Sequence, residues 1–257
     1  MKKTLFLFLT LALAAVSVSS RAAERGVEPN QINVTSAQEL LDNLGSDRIL
    51  VITEGYINLT EALLDDANDH LHISYEEMET TDKSVFYYME TDGPELHIRG
   101  LKNLTILSGL DVVSIVIDPR YANVFTFENC ENINLSGLTL GHTDGASECS
   151  GAVVQIDFSS EITLDGCRLY GCGTLGVDAS MVMSLHLKDC EIYECSIGGV
   201  VLYGVSDAIF ENCSIHDVPS PAISLYDTRE VMWNNADVFG EHFDVTADGE
   251  LAPVTLG

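Results

Sequence analysis

Two strings of side chains stand out for the chemistry they could perform. When the chain is aligned on its own recurring spacing, one set of outward positions reads Thr126, Gln155, Asp178, Val201 and Ser224. Two residues further on, the set reads Glu128, Asp157, Ser180, Tyr203 and Tyr226. Glu128, Asp157 and Asp178 therefore fall on one surface in neighbouring repeats. Carboxylates on adjacent strands, about 5 Å apart, raise one another's pKa or hold a cation. The loops that reach this surface carry Asp118, Arg120, His142, Asp144 and Glu148. Arg120 or His142 would supply the basic half of acid–base chemistry beside the three acids. Asp144, Glu148, Asp157 and Asp178 make a candidate calcium set. The competing reading is chance adjacency, because the chain carries 40 acidic residues.

The second string is aromatic: Tyr170, Tyr193, His216 and Phe239, edged by Glu191, Glu194 and Asp217. Stacked rings bordered by carboxylates make a platform for sugar rings. Ordinary cross-strand stacking, a few tenths of a kcal/mol to about 1 per pair, is the alternative. Tyr203 and Tyr226 extend the acidic surface as either a further subsite or packing under a loop.

The elements that position these residues are repeats. "LDGCRLYGC" (Leu164–Cys172) returns as "LKDCEIYEC" (Leu187–Cys195), then as "FENCSIHDV" and "WNNADVFGE", each 23 residues on. Such a period signals a stacked architecture. Aligned at this offset, the apolar positions become columns: Ile162, Leu185, Ala208 and Val231; Leu164, Leu187, Phe210 and Trp233; Leu169, Ile192, Ile215 and Val238; Val154, Val177, Val200 and Ile223. Within each repeat, apolar and polar residues alternate over short, β-branched runs, which is strand periodicity. The column Gly109, Gly137, Gly166, Asp189, Asn212 and Asn235 consists of residues that tolerate a left-handed turn. These features predict an all-β fold, a parallel β-helix with three short strands per coil. Earlier coils are longer: Ile133, Leu135, Leu138 and Leu140 precede their counterparts by 29 residues, with the excess placed in Thr143–Cys149. About six coils of 23–29 residues are expected over 94–240.

Ahead of them, "TSAQELLDNLG" (Thr35–Gly45) predicts a helix that caps the stack, with Ser36 and Glu39 as a capping box and Gly45 as its stop. "RILVITEGYINL" reads as the first strands, within a unit spanning 34–60, and 61–93 as an irregular polar excursion. Residues 241–257 form a tail expected to cap the far end. The seven cysteines are Cys130, two ladders at the 23-residue step (Cys149, Cys172, Cys195 and Cys167, Cys190, Cys213). Inward neighbours about 4.8 Å apart with parallel side chains suit a relaxed disulfide poorly. Reduced core ladders are expected, with disulfides as the alternative.

Lys2 and Lys3, an apolar run from Leu5 to Val18, and Ser20-Arg21-Ala22 form a secretory signal, residues 1–22. Cleavage would remove Lys2, Lys3 and Arg21 and no acid, leaving 9 of the 12 basic residues against 40 acidic ones, a net charge of −31 over 23–257. Such a surface repels nucleic acid and anionic lipid. A periplasmic or secreted monomer, with no membrane insertion after cleavage and no nucleic-acid partner, is expected.

The cap helix, the asparagine column and "FENCENINLSGLTLGHT" running on to "LYGCG" together resemble bacterial right-handed parallel β-helix repeat proteins of the pectate-lyase-like superfamily, over roughly residues 34–240. The resemblance implies a right-handed coil. It also implies a site on the outer face of the strand that opens each coil, where the three acids lie. The enzyme signatures of that superfamily are missing: "GHT" at Gly141–Thr143 is a fragment of Gly-His-Gly, and Asp118-Pro119 continues as Arg120 where alginate epimerases read His-Glu. The expectation is a non-catalytic module that binds polysaccharide or serves the envelope. The alternative is a polysaccharide-active enzyme, either a calcium-assisted lyase or a carboxylate-based hydrolase.

Overall fold

The computed structural model describes residues 30–143, 150–171, 174–219, 221–235, 237–238, 245–247 and 250–252. The expected signal segment, Asp144, Glu148, Cys149, Cys172 and Phe239 lie outside the described residues.

Three sheets run along the stack, the first from Asn30–Val34 to Glu230–Asn234, the second from Tyr56–Asn58 to Asp237–Val238 and the third from Val85–Met89 to Glu250–Ala252. Each coil enters through a strand of the third, turns into the first and leaves through the second. Among the described residues six coils do so in full, opening with Pro94–Arg99, Phe125–Glu128, Val154–Asp157, Leu175–Ser180, Gly198–Tyr203 and Ile223–Tyr226. An incomplete coil, Arg48–Ile52 and Tyr56–Asn58, precedes them. The pairing is parallel from coil to coil. Val154, Val177, Val200 and Ile223 are successive partners in the third sheet. Ile162, Leu185, Ala208 and Val231 are partners in the first, and Leu169, Ile192, Ile215 and Val238 in the second. The expected columns are thus the observed registers, at the expected steps: 29 residues from Thr126 to Gln155 and 23 from Gln155 to Asp178. Alternation drives this arrangement: every second side chain enters one continuous apolar interior that runs from the cap to Ile223.

Three strands per coil demand tight corners, and the chain makes them with left-handed residues stacked in columns. Gly137, Gly166, Asp189, Asn212 and Asn235 all have φ between 51° and 66°. The amide of Asn235 donates to Asn212 at 2.8 Å, and that of Asn212 to Asp189 at 3.0 Å. Gly109, expected in the same column, does not turn left-handed. Its corner is longer, and it is small for another reason: a Cβ there would meet the Ile52 carbonyl oxygen at 2.9 Å. A second ladder, which the sequence reading missed, joins Asn132 to Asn103 at 2.9 Å and Asn103 to Asp47 at 2.6 Å.

The cap helix spans Ala37–Asn43 and lays Leu40 and Leu41 over the end of the core. The Ser36 hydroxyl accepts from the Glu39 N–H at 3.1 Å. Glu39 completes the box differently from expectation, accepting from the N–H and hydroxyl of Thr35 at 2.7 and 2.8 Å. Leu44, in extended backbone, ends the helix in place of Gly45. Ser36→Ala should cost about 1 kcal/mol of stability, read as a lowered urea midpoint.

The excursion is more ordered than its polarity suggested. It contains a short helix, Leu59–Leu63, two 3-10 turns, Asp66–Leu71 and Tyr75–Glu77, and a strand, Val85–Met89. That strand pairs antiparallel with Pro94–Arg99 and becomes the outer edge of the third sheet. Cys130, Cys167, Cys190, Cys195 and Cys213 are free and buried. They serve as small apolar side chains whose thiols approach backbone carbonyls, as Cys190 approaches Leu164 O at 3.3 Å. Among the described residues, no helix is long and apolar enough to cross a membrane.

Candidate functional site

The third sheet turns one row of side chains inward and the next outward, and the outward rows build a cleft near the capped end. Phe125 and Phe127 anchor the floor by pointing into the core, which leaves Thr126 and Glu128 facing out. One coil earlier, Leu96 and Ile98 point inward, and Glu95, His97 and Arg99 face out, with His97 paired to Thr126 and Arg99 to Glu128. One coil later, Gln155 and Asp157 continue the same two rows, and Asp178 follows Gln155. The excursion supplies a wall: Met78, Glu79, Thr81 and Tyr88 border the cleft of about 540 Å³ whose floor includes Glu95, His97, Arg99, Glu128, Gln155 and Asp157.

The polar groups here are organised. Glu95, almost fully buried, accepts from the backbone N–H and side-chain amide of Asn123 at 3.1 and 2.9 Å and from the Thr126 hydroxyl at 3.0 Å. The Asn123 amide also reaches Gln155 at 2.7 Å, and the Gln155 amide donates to Asp157 at 2.7 Å. Arg99 holds Glu128 through Nε and Nη2, both at 2.7 Å, and donates from Nη1 to the Met78 carbonyl at 2.7 Å. Its guanidinium lies 4.9 Å above the Phe86 ring. His97 is sandwiched between Phe86, 5.2 Å away and nearly parallel, and Tyr88 at 4.9 Å. Its Nε2 sits 3.0 Å from Glu95 Oε1, yet neither ring nitrogen is aligned for a hydrogen bond.

The acids of this face sit in different surroundings. Burial, reinforced by Asp157, pushes the Asp178 carboxyl up to about 6. Burial also raises Asp157, against the hydrogen bond from Gln155. Glu128, by contrast, is gripped by the Arg99 guanidinium at 2.7 Å. A carboxyl with a raised pKa and a salt-bridged carboxylate thus share one surface, which is the minimum for acid–base chemistry.

Of the residues singled out from sequence, Glu128, Asp157 and Asp178 share this face in the expected registers. Arg120 does not line the cleft; it borders a separate hollow with Asp92, Asp118 and Tyr121, where its N–H donates to Asp92 at 2.8 Å. His142 does not reach the cleft either. It ends the strand Leu138–His142, is 1 % exposed, and bonds through Nε2 to the Ala122 carbonyl at 2.8 Å, with burial lowering its pKa. Among the described residues, no three acidic, His or Cys side chains converge as a metal site. Glu95, His97, Arg99, Tyr88 and Asn123 were missed. Stepping back 29 residues from Thr126 and Glu128 to "PELHIRG" would have found the first three of these.

On the second sheet, Tyr170, Tyr193 and His216 form the expected column. Ring centroids are 5.8 and 5.4 Å apart, with planes 17° and 5° from parallel. Gly141 seats its first member, since a Cβ there would strike the Tyr170 ring at 2.7 Å. His216 bridges Asp217 at 2.8 Å and Glu191 at 3.1 Å; these partners, Asp217 foremost, raise its pKa. Tyr203 and Tyr226 lie 6.3 Å apart at 38°, with Tyr203 half exposed.

The sequence model described as "Right handed beta helix region" matches residues 100–248. Among solved structures, the chain is similar to a candidate glycosyl hydrolase from Parabacteroides merdae ATCC 43184, at 14% identity over 79% of this chain and 89% of that one, with a TM-score of 0.43. It is also similar to the A-module of the mannuronan C-5 epimerase AlgE4 from Azotobacter vinelandii, at 12% identity over 91% and 95%, with a TM-score of 0.28. A search of curated proteins gives no match.

Proposed function

We propose, on the premise that this chain belongs to the family of right-handed β-helix proteins, that the third-sheet cleft binds a neutral carbohydrate chain and cleaves it with its own carboxylates. A β-helix leaves function to the sites on its surface. The observation that carries it is the walled cleft itself, in which Glu128 is salt-bridged to Arg99 and Asp157 lies in a desolvated setting, with Asp178 on the next coil of the same face, outside the cleft's lining. Asp178, half protonated near pH 6, is suited to donate to a leaving glycosidic oxygen. Asp157, its diagonal neighbour across the parallel strands, is suited to activate water or stabilise positive charge on the sugar. Tyr88 and Phe158 border the cleft as apolar surfaces for a ring face. Neutral sugars are favoured over uronates because the cleft gathers several acids, and its cation, Arg99, is already committed to Glu128 and Met78.

The test is a panel of neutral and acidic polysaccharides, with calcium and with EDTA, followed by assays for new reducing ends and for unsaturated products. New reducing ends from a neutral glycan, indifferent to EDTA and lost in Asp157→Asn and Asp178→Asn, support this reading. Calcium-dependent unsaturated product would replace it with lyase chemistry.

A second reading, carbohydrate binding without turnover, is favoured by the Tyr170–Tyr193–His216 stack. If that column is the sugar platform, Tyr193→Ala should weaken glycan binding about tenfold, measured by calorimetry, by removing the central ring. Unchanged affinity would leave the column as packing.

A further inference from the structure

We propose that the cleft continues over Phe158 into an apolar subsite, built from Phe158, Met181, Met183 and Tyr203, that holds a hydrophobic substituent, an acyl or aryl group, carried by the bound sugar. This rests on the carbohydrate reading of the cleft. Phe158 lines both hollows, following Asp157 directly: on one side is the carboxylate cleft, on the other a depression of about 660 Å³ floored by Val182, bordered by Met181, Met183 and Tyr203, and rimmed by serines and by Asp227 and Arg229.

Tyr203 pairs with Tyr226 across the strands, but burial does not explain Phe158, Met181 and Met183. Phe158, Met181, Met183 and Tyr203 are 60%, 53%, 62% and 50% exposed. They gather around one hollow, and a contiguous exposed apolar patch marks a contact surface. Two of them also oppose the local backbone. The corner between the third and first sheets is a left-handed column of Asn129, Phe158, Met181, Gly204 and Asp227, with φ of 53°, 50°, 55°, 63° and 50°. Asn, Gly and Asp accept that conformation, whereas Phe and Met do so only under strain. Strain of this kind gathers at ligand sites. Gly204 has a role here, since a Cβ in its place would lie 2.6 Å from the Met181 sulfur, so its absence lets the thioether lie flat across the corner. Paired methionines give an adaptable surface for apolar groups of varied shape.

The size of the hollow and its continuity with the cleft identify the occupant. Its volume is that of a small-ligand pocket. A stable protein–protein interface needs about 800 Å² per partner, far more than four side chains offer. A group attached to the sugar in the cleft reaches this hollow by crossing Phe158 alone.

The experiment uses protein labelled with ¹³C at methionine methyl groups, titrated with monomeric octyl glucoside and with methyl glucoside. Octyl glucoside should shift the Met181 and Met183 methyl resonances saturably, and methyl glucoside should not. Phe158→Gly should raise the octyl glucoside Kd about tenfold or more, while its thermal midpoint equals or exceeds that of the parent, because glycine relieves the left-handed strain. Equal response to the two glucosides, or an unchanged Kd in Phe158→Gly, overturns the proposal. Methyl shifts that depend on protein concentration without probe also overturn it, in favour of a second copy on this face. The two readings fail separately. Octyl glucoside binding that persists in Asp178→Asn, with no glycan cleaved by the parent, removes only the hydrolase reading. Cleavage without any preference for acylated or arylated substrate removes only the subsite.

Discussion

Asp178→Asn should lose about 10²–10⁴-fold in product formation and yet be more stable than the parent at neutral pH. The carboxyl of Asp178 is pushed up to about 6 in the folded chain by burial first and Asp157 second. In the unfolded chain it titrates near 3.9. A group whose folded pKa is raised contributes stability that is fully present below the unfolded value and is lost as pH rises through the folded one. Between pH about 4 and about 6 the folded protein is therefore increasingly penalised for holding a desolvated anion. Asparagine keeps the shape and never carries the charge. The expected gain at pH about 7.5 is about 1–2 kcal/mol, less than the full shift implies because the side chain is only half buried. At pH about 4 the difference should vanish. Urea midpoints of both proteins at the two pH values measure this; equal stability at pH about 7.5 would mean that Asp178 is solvated. The rate should fall as pH climbs past about 6, since the acid form of Asp178 does the donating.

Phe127→Ala should cost about 3–5 kcal/mol, a large share of the roughly 5–15 that holds a domain together. Phe127 is fully buried, its ring centroid is 5.8 Å from that of Phe125, and its strand partners above and below are Ile98 and Ile156. Coils of a solenoid contact only their neighbours, so no distant layer can fill the void. The same residue sets the pitch of Thr126 and Glu128, so the damage should reach the cleft floor: a lowered urea midpoint together with weaker glycan binding. Phe127→Leu, which keeps most of the volume, should show a smaller loss in both. If Phe127→Ala unfolds at the parental midpoint, the interior there is not close-packed.

Most of the architecture was legible because a solenoid writes itself into sequence. A column such as Val154, Val177, Val200 and Ile223 is at once a period in the chain and a row of contacts in space. The corners were legible for the same reason, except at Gly109, where a longer turn uses glycine for close approach to Ile52. The site was half legible. Glu128, Asp157 and Asp178 lie on repeating strands, so their face followed from register. Arg120 and His142 lie where the coils change length, and there the count of residues no longer says which way a side chain points. The cleft wall was beyond reach: Tyr88 lies on Val85–Met89, an antiparallel strand inserted ahead of the first full coil, and Met78 follows a 3-10 turn of the same excursion, so neither has a counterpart one coil on.

The two coil lengths have a consequence for how the chain finds its fold. Where successive coils step by 23 residues, their columns are nearly interchangeable: Leu185 is flanked by Ile162 and Ala208 in a sheet that would accept either order. A nascent chain could skip a coil there and still satisfy its hydrogen bonds. The early steps of 29 residues, the ladder from Asp47 to Asn132 and the helix laid over the end admit one arrangement only. The odd spacing acts as the keyed tooth of a zipper. It makes the amino-terminal end the place where assembly starts in phase, and each later coil inherits its address from the one already laid down.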